Sequence, residues 1–229
     1  MKFRSFVPHL ALALGLSLAA GLAAAQTHSV YLGGVFIDVR AKAPALEGGP
    51  AVPAPGGLLE VGDASTTGFG YVYHATPEWS VEVALGIPPR HKVYGRGFLE
   101  PFGQISSVKQ LPPTVFVNYR FGDLLPRLSP FVGLGLNYTK FSQARSTASG
   151  DAASGGSTKI MLDDSWGLAA HAGLSYAIDK NWALVGTVAT AKVKSDMKAV
   201  TSTRTGDVTR TTTIDFRPIA YTLSLGYTF

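Results

Sequence analysis

The chain closes on Ile219-Ala220-Tyr221-Thr222-Leu223-Ser224-Leu225-Gly226-Tyr227-Thr228-Phe229. Ile219, Tyr221, Leu223, Leu225, Tyr227 and Phe229 fall on one side of a strand, and Ala220, Thr222, Ser224, Gly226 and Thr228 on the other. A soluble sheet packs its apolar face on a core. Here the opposite face is small and polar, and aromatics gather at one end. That is the pattern of a barrel strand facing lipid, with an interfacial aromatic girdle. Tyr227 and Phe229 at the carboxy-terminus are read as the signal that barrel-assembly machinery recognises.

The other end agrees. Met1-Lys2-Phe3-Arg4 precedes an apolar stretch from Phe6 to Ala20, and Ala23-Ala24-Ala25 precedes Gln26. This predicts a signal peptide over 1–25; a membrane anchor, the rival, needs about 20 apolar residues. Cleavage after Ala25 removes Lys2 and Arg4, so 20 basic residues become 18 against 15 acidic ones, and the charge falls from +5 to +3. No basic run interleaved with aromatics suggests a nucleic-acid groove. With no cysteine, disulfides and thiolate metal sites are excluded. The chain is 46% hydrophobic and 15% charged. After residue 25 it has no apolar run near 18 residues, so an exported chain that spans a bilayer must close a barrel. A soluble periplasmic β-sandwich is the competing architecture.

Alternation places eight strands in residues 26–229: Ser29–Arg40, Ser65–His74, Trp79–Ile87, Gln104–Phe121, Leu128–Ser142, Leu162–Ile178, one from Trp182 towards Val193, and one from about Thr211 to the end. In the first, Val35, Ile37 and Val39 are expected outside and Asp38 and Arg40 inside. The connections 41–63, 88–103, 143–160 and 194–210 are long and rich in Gly, Pro, Ser or Thr. Those at 75–78, 122–127 and 179–181 are short. Strict alternation of long and short connections is expected of an all-β, eight-stranded antiparallel up-and-down transmembrane barrel, with long loops outside the cell and short turns in the periplasm. A sandwich has no reason to sort its loops so.

Several segments, in order, carry a resemblance: Pro89-Arg90-His91-Lys92-Val93, Gln110-Leu111-Pro112-Pro113-Thr114, Pro130-Phe131-Val132-Gly133 with Gly135 and Asn137-Tyr138-Thr139, Asp164-Ser165-Trp166-Gly167, and Gly226-Tyr227-Thr228-Phe229. The chain resembles the outer membrane protein W family of Gram-negative bacteria. The resemblance implies an outer-membrane barrel with a narrow, largely apolar lumen that passes small hydrophobic molecules. It also implies contact of the external loops with bacteriocin or phage. The Pro-rich first loop has no counterpart in that pattern.

Strand four poses a physical question. Pro112 and Pro113 donate nothing to the ladder, and a closed wall has no edge where missing donors are free. At about 3.3 Å per residue and a tilt of about 40°, the pair stands on the order of 20 Å above the periplasmic end, near the top of the apolar band. Either the wall parts there, giving an apolar solute a lateral opening to the bilayer, or the strand simply bulges as it leaves the membrane.

Parity puts Val72, Phe116 and Phe131 inside, lining a dry passage or filling a packed interior. Gly68, Gly70, Gly133, Gly135 and Gly173 are expected to keep space open beside them. Alternation with Leu168 points Trp166 at lipid, while the resemblance makes it a lumen constriction; a bulge at Asp163-Asp164 would reconcile the two. The charges at inward positions, Glu82, Arg120, Asp38 and Arg40, are expected to pair across the lumen with no partners assigned among them, and His171 to be a satisfied interior histidine or a gate. No nucleophile, base and orienting group share a motif, so no catalytic residue is assigned. The four histidines after the leader are scattered, and no metal site or cofactor is assigned. Two functions result: a passive channel for a small apolar solute, or a surface receptor or adhesion barrel with a closed lumen whose loops bind a partner.

Overall fold

The computed structural model describes residues 27–50, 52–122 and 124–229; the expected signal peptide, 1–25, lies outside the described residues. Strands are numbered along the chain. Eight antiparallel strands close a barrel: β1 (His28–Val39), β3 (Ala64–His74), β4 (Trp79–Gly86), β7 (Thr114–Arg120), β8 (Leu128–Ser146), β10 (Ser165–Ala177), β11 (Trp182–Ala191) and β14 (Pro218–Thr228). Each pairs with its neighbours in order. Pairing of β1 with β14, from Ser29 opposite Thr228 to Val39 opposite Pro218, joins the two ends of the chain.

The expected short turns are present, and their chemistry is local. Thr76 Oγ1 accepts from the amide of Trp79 (2.9 Å), and Asp179 Oδ1 accepts from the amides of Asn181 and Trp182 (both 2.8 Å). Short polar side chains thus close both turns onto their own backbone.

The long connections are not loops. They carry a second tier of strands: β2 (Gly57–Val61), β5 (Arg90–Gly97), β6 (Gln104–Leu111), β9 (Ser157–Leu162), β12 (Lys194–Thr203) and β13 (Gly206–Asp215), with a short helix α1 (Ala148–Ser154). Residues 41–63, 88–103, 143–160 and 194–210, expected as irregular, therefore contain ladders, and Gln104–Phe121 is two strands. The eighth strand does not begin at Thr211, since Thr211 belongs to β13. β2, β5 and β6 extend the sheet along the upper half of β8, and β9, β12 and β13 form a separate sheet. Lys42 and Glu47 bridge to Asp215 and Thr211, and the Leu46 amide donates to the Gly57 carbonyl (2.8 Å), so the two sheets meet.

At one height the strands break. Residues 40–41, 62–63, 87–89, 112–113, 163–164, 192–193 and 216–217 separate lower from upper segments, whereas β8 runs its 19 residues through. Polarity inverts across this line. Below it the outer face is apolar, with Leu32, Phe36, Leu134, Leu136, Leu168 and Leu223 exposed. Above it Lys194, Asp196 and Lys198 point out and Val193 and Met197 point in. The buried hydrophobic cluster accordingly lies in the upper tier, where Val61, Val93, Val108, Phe141, Val193, Met197, Ile214 and Phe216 pack together. An outward apolar face is stable in lipid and an inward one in water, so the line of breaks marks the bilayer boundary.

β1 corrects one expectation. Its faces are reversed: Leu32 and Phe36 are exposed, while Val35 and Ile37 line the interior. Asp38 and Arg40 pair with each other on the outside (3.0 Å). Leu32-Gly33-Gly34 has no clean parity, and a slip of one residue there moves every side chain to the other face.

Candidate functional site

Val72, Phe116, Phe131 and His171 are inside, as the parity required. Phe116, 4% exposed, stacks on His171 with ring centres 3.9 Å apart and planes at 6°, and Phe131 meets the same imidazole edge-on at 5.5 Å. His171 Nε2 donates to Asn118 Oδ1 (2.7 Å), and Asn118 Nδ2 donates to Glu82 Oε2 (2.8 Å). Every member of this chain has a partner, so His171 is a satisfied interior histidine. Of the charges expected to pair across the lumen, Glu82 engages the Asn118 amide with His171 Nε2 4.0 Å away, and among the described residues no ion pair joins it to Arg120.

Gly70 leaves ordinary room beside the cavity, but Gly133, Gly135 and Gly173 do not keep space open. A Cβ on Gly133 would strike Asn118 Oδ1 and His171 Nε2, one on Gly135 the Phe116 ring, and one on Gly173 the Phe131 ring. They are hydrogen-sized so that the aromatics can reach across. Nearer the short turns, Ser29 Oγ bonds His74 Nε2 and Thr228 Oγ1 (both 2.8 Å), and Tyr31 lies over Gly226. These groups, with the Phe116–His171 stack, crowd the lower lumen and form its floor.

A cavity of about 230 Å³ runs along the lumen, from Gln110 and Thr139 beside the line of breaks past Phe116 and His171 to Ser80 and Arg120 near the short turns. Val35, Ile37, Val72, Thr114 and Ala169 line it from the inner face. Phe69, Leu85 and Ile87 also line it, although their side chains belong to the lipid-facing row and are 45%, 39% and 59% exposed. The cavity thus comes up to the wall at these residues.

The ladders explain where. Pairing of β4 with β7 stops at Ala84 opposite Thr114 and resumes where the Gln110 amide donates to the Pro89 carbonyl (3.1 Å). Residues 85–88 face 111–113 in between. Ile87 is committed to β3: its amide donates to the Thr67 carbonyl (2.9 Å), and its carbonyl accepts from Thr66 Oγ1 (2.6 Å). Pro112 and Pro113 have no amide hydrogen to offer across. On their other side the wall is intact, since Tyr138 donates to the Pro113 carbonyl (3.0 Å) and Leu111 pairs with Lys140. The interruption at Pro112 and Pro113 is one-sided.

A second cavity, of about 110 Å³, lies in the upper tier among Leu59, Ile160, Met197 and Phe216. Between the two stand Val193, which lines the lower one, and the stacked pair Phe141–Phe216 (5.1 Å), Phe216 being 1% exposed. His91 is wholly buried beside this septum. Its Nδ1 bonds the Gly62 carbonyl (2.9 Å), and Nε2 has no partner among the described residues. Burial pushes its pKa below the ordinary value, outweighing the Gly62 carbonyl, which favours the charged ring.

Trp166 does not join the lumen. It is 74% exposed on the lipid side and packs against Tyr138 at 4.7 Å. A bulge does occur at Asp163-Asp164, since Met161 and Trp166 both point out, but it reverses β9 rather than Trp166. Asp164 holds it, accepting from the Tyr138 hydroxyl (2.5 Å) and the Phe141 amide (3.0 Å). Tyr227 faces outward against Trp182 (4.9 Å), with Phe229 beside His28. The septum residues went unassigned because they fall in stretches read as loops or at their edges. The alternation of Val193, Ser195 and Met197 with Lys194, Asp196 and Lys198 is the signal that would have found them.

The profile of the OmpW family matches residues 30–229. Outer membrane protein W of Vibrio cholerae is 33% identical over 172 residues, 75% of this chain and 76% of the relative. The dibenzothiophene metabolism operon protein PahQ of Pseudomonas aeruginosa is 29% identical over 128 residues, 56% of each chain. The crystal structure of the outer membrane protein OprG from Pseudomonas aeruginosa shares the fold, with a TM-score of 0.79 and 24% identity over 90% of this chain and 96% of that one.

Proposed function

The chain belongs to the OmpW family of outer-membrane β-barrels, and from that footing we propose that it passes small apolar molecules down their gradient and releases them sideways into the bilayer. One observation carries this reading: the cavity is lined by inner-face and lipid-face residues together, where the β4–β7 ladder lapses beside Pro112 and Pro113. The long connections stand outside the cell and the short turns in the periplasm. A solute reaches the upper cavity first, passes the Phe141–Phe216 septum into the lumen cavity, and meets the Phe116–His171 floor. Sideways is then the open direction. An apolar solute gains roughly 25 cal/mol per Å² on leaving water for such walls, whereas a hydrophilic one forfeits hydrogen bonds. The name of the Pseudomonas aeruginosa relative, which places it in a dibenzothiophene metabolism operon, supports aromatic, apolar cargo. At the seam the terminal residues Tyr227 and Phe229 serve the assembly machinery.

Uptake into vesicles carrying the purified barrel tests this, with an apolar and a hydrophilic solute of similar size. The companion variant is Pro112→Val with Pro113→Val. The Pro113 carbonyl already faces Tyr138 of β8, so only the residue 112 amide is restored toward 85–88; at about 1 kcal/mol for that hydrogen bond the open wall falls roughly fivefold. The apolar solute alone should enter faster than into empty vesicles, and the variant should slow it. An unchanged rate in the variant would rule out the gap as the route. If neither solute gains, the barrel is closed and the receptor reading, with phage or bacteriocin at the loops, takes its place.

A further inference from the structure

On the outer face of the upper tier, five cations occupy neighbouring outward positions on three strands. Arg90 lies opposite Lys109, Lys92 opposite Ser107, Lys109 opposite Ser142, Ser107 opposite Arg145, and Leu111 opposite Lys140. Side chains at such positions stand about 5 Å apart. None of the five has an ion-pair partner among the described residues. Elsewhere on the tier Arg40 pairs with Asp38, Arg217 with Asp215 and Arg96 with Glu60, while Arg204 and Arg210 have no ion pair among the described residues. Lys140, at the margin, lies near Asp164, which is already held by Tyr138 and Phe141. Like charges opposite one another in a sheet repel, so this face carries a cost that an anion would relieve.

Arg90 is also held in place. Its guanidinium donates to Ser107 Oγ (3.0 Å), to the Gln143 carbonyl (3.3 Å) and to Gln143 Oε1 (2.7 Å). Gln143 adopts a φ of 47°, the left-handed region that favours glycine. The strained residue fixes an arginine whose remaining donors face outward, a geometry suited to phosphate oxygens.

We propose that the outer face of β5, β6 and β8 is a docking surface for the phosphate groups of glycolipid in the outer leaflet. The assignment rests on the orientation given under the proposed function. Lys140 stands two residues above Tyr138 on β8, about 7 Å along the strand, and Tyr138 with Trp166 marks the interface. Lys140 therefore sits at headgroup depth, with Arg90 and Lys109 level with Ser142 about 13 Å along the strand from Tyr138, and Lys92 and Arg145 about 23 Å. Exposed Leu136, Val115 and Leu168 below them offer the acyl chains a surface, which a free phosphate would not use. The ladder resumes at Arg90 and Lys109 directly above the gap beside Pro112, so the docked lipid borders the opening into which solute is released.

The test measures retention of two lipids by the full-length barrel in micelles: bisphosphorylated lipid A and the same lipid with its phosphates removed. The variants are Arg90→Gln/Lys109→Gln/Arg145→Gln, the single Lys109→Gln in case the triple variant fails to fold, and Lys198→Gln as a control on β12. The wild type and the control should hold the phosphorylated lipid at least tenfold more tightly than the dephosphorylated one. The triple variant should lose that preference, and Lys109→Gln should weaken it severalfold. Equal retention of both lipids by the wild type, or a preference unaltered in the variants, overturns the proposal. Full competition by inorganic phosphate would also overturn it, in favour of a site for a free anion. The readout is independent of solute flux, so a failure here with uptake intact leaves the channel reading standing.

Discussion

Replacing Phe116 by alanine tests whether the lumen floor is a packed barrier. The ring is 4% exposed and lies face to face with His171 at 3.9 Å, so little solvent is available to fill its place. Unrelaxed, the substitution opens roughly 100 Å³, worth about 2.4 kcal/mol at about 24 cal/mol per Å³. With the lost transfer energy the total is about 3–5 kcal/mol, or roughly two to four decades in the unfolding constant. The same space holds about three water molecules at about 30 Å³ each, enough to wet the route past His171. Two assays are needed on the same protein in vesicles: urea unfolding followed by tryptophan fluorescence, and leakage of a small hydrophilic solute. The expected result is a large stability loss together with leakage that the wild type lacks. A loss below about 1 kcal/mol would refute the packed floor, since core Phe→Ala changes cost several times that. A full loss without leakage would move the barrier down to Tyr31 and Ser29.

Gly133→Ala should cost about 1–3 kcal/mol by overpacking against Asn118 and His171. Gly34→Ala, where a Cβ meets nothing within 4 Å, should be close to neutral in the same urea titration. Because burial depresses the His91 pKa from 6.5, the folded upper tier resists a proton that the unfolded chain accepts. Its stability is unaffected above that pH and falls as pH drops below it, by up to about 1.4 kcal/mol per unit. His91→Asn, which keeps a donor towards Gly62, should flatten that slope in hydrogen exchange of β5; an unchanged slope would exclude His91 as its source. Trp166→Ala should leave apolar uptake at the wild-type rate while weakening anchoring at the interface; a changed rate would return Trp166 to the solute path.

The sequence by itself determined the barrel, its strand count and most of its faces. Period-two alternation from Trp79 to Ile87 or Ile219 to Phe229 is a local property, and lipid on one side with a filled lumen on the other leaves only one way to orient it. Pro112 and Pro113 were equally legible, because a missing amide hydrogen is a fact of the residue. Tertiary structure decided what depends on partners. What stands opposite the prolines turned on Ile87 being bonded to Thr66 and Thr67, which no residue near the prolines encodes. Gly133, Gly135 and Gly173 look like empty space in sequence and become contact points once Asn118, His171, Phe116 and Phe131 arrive from other strands. The upper tier was hidden for the same reason: its segments carry polar residues on the outer face and lie in stretches rich in Gly, Pro, Ser and Thr, and each continues a barrel strand already held in register below.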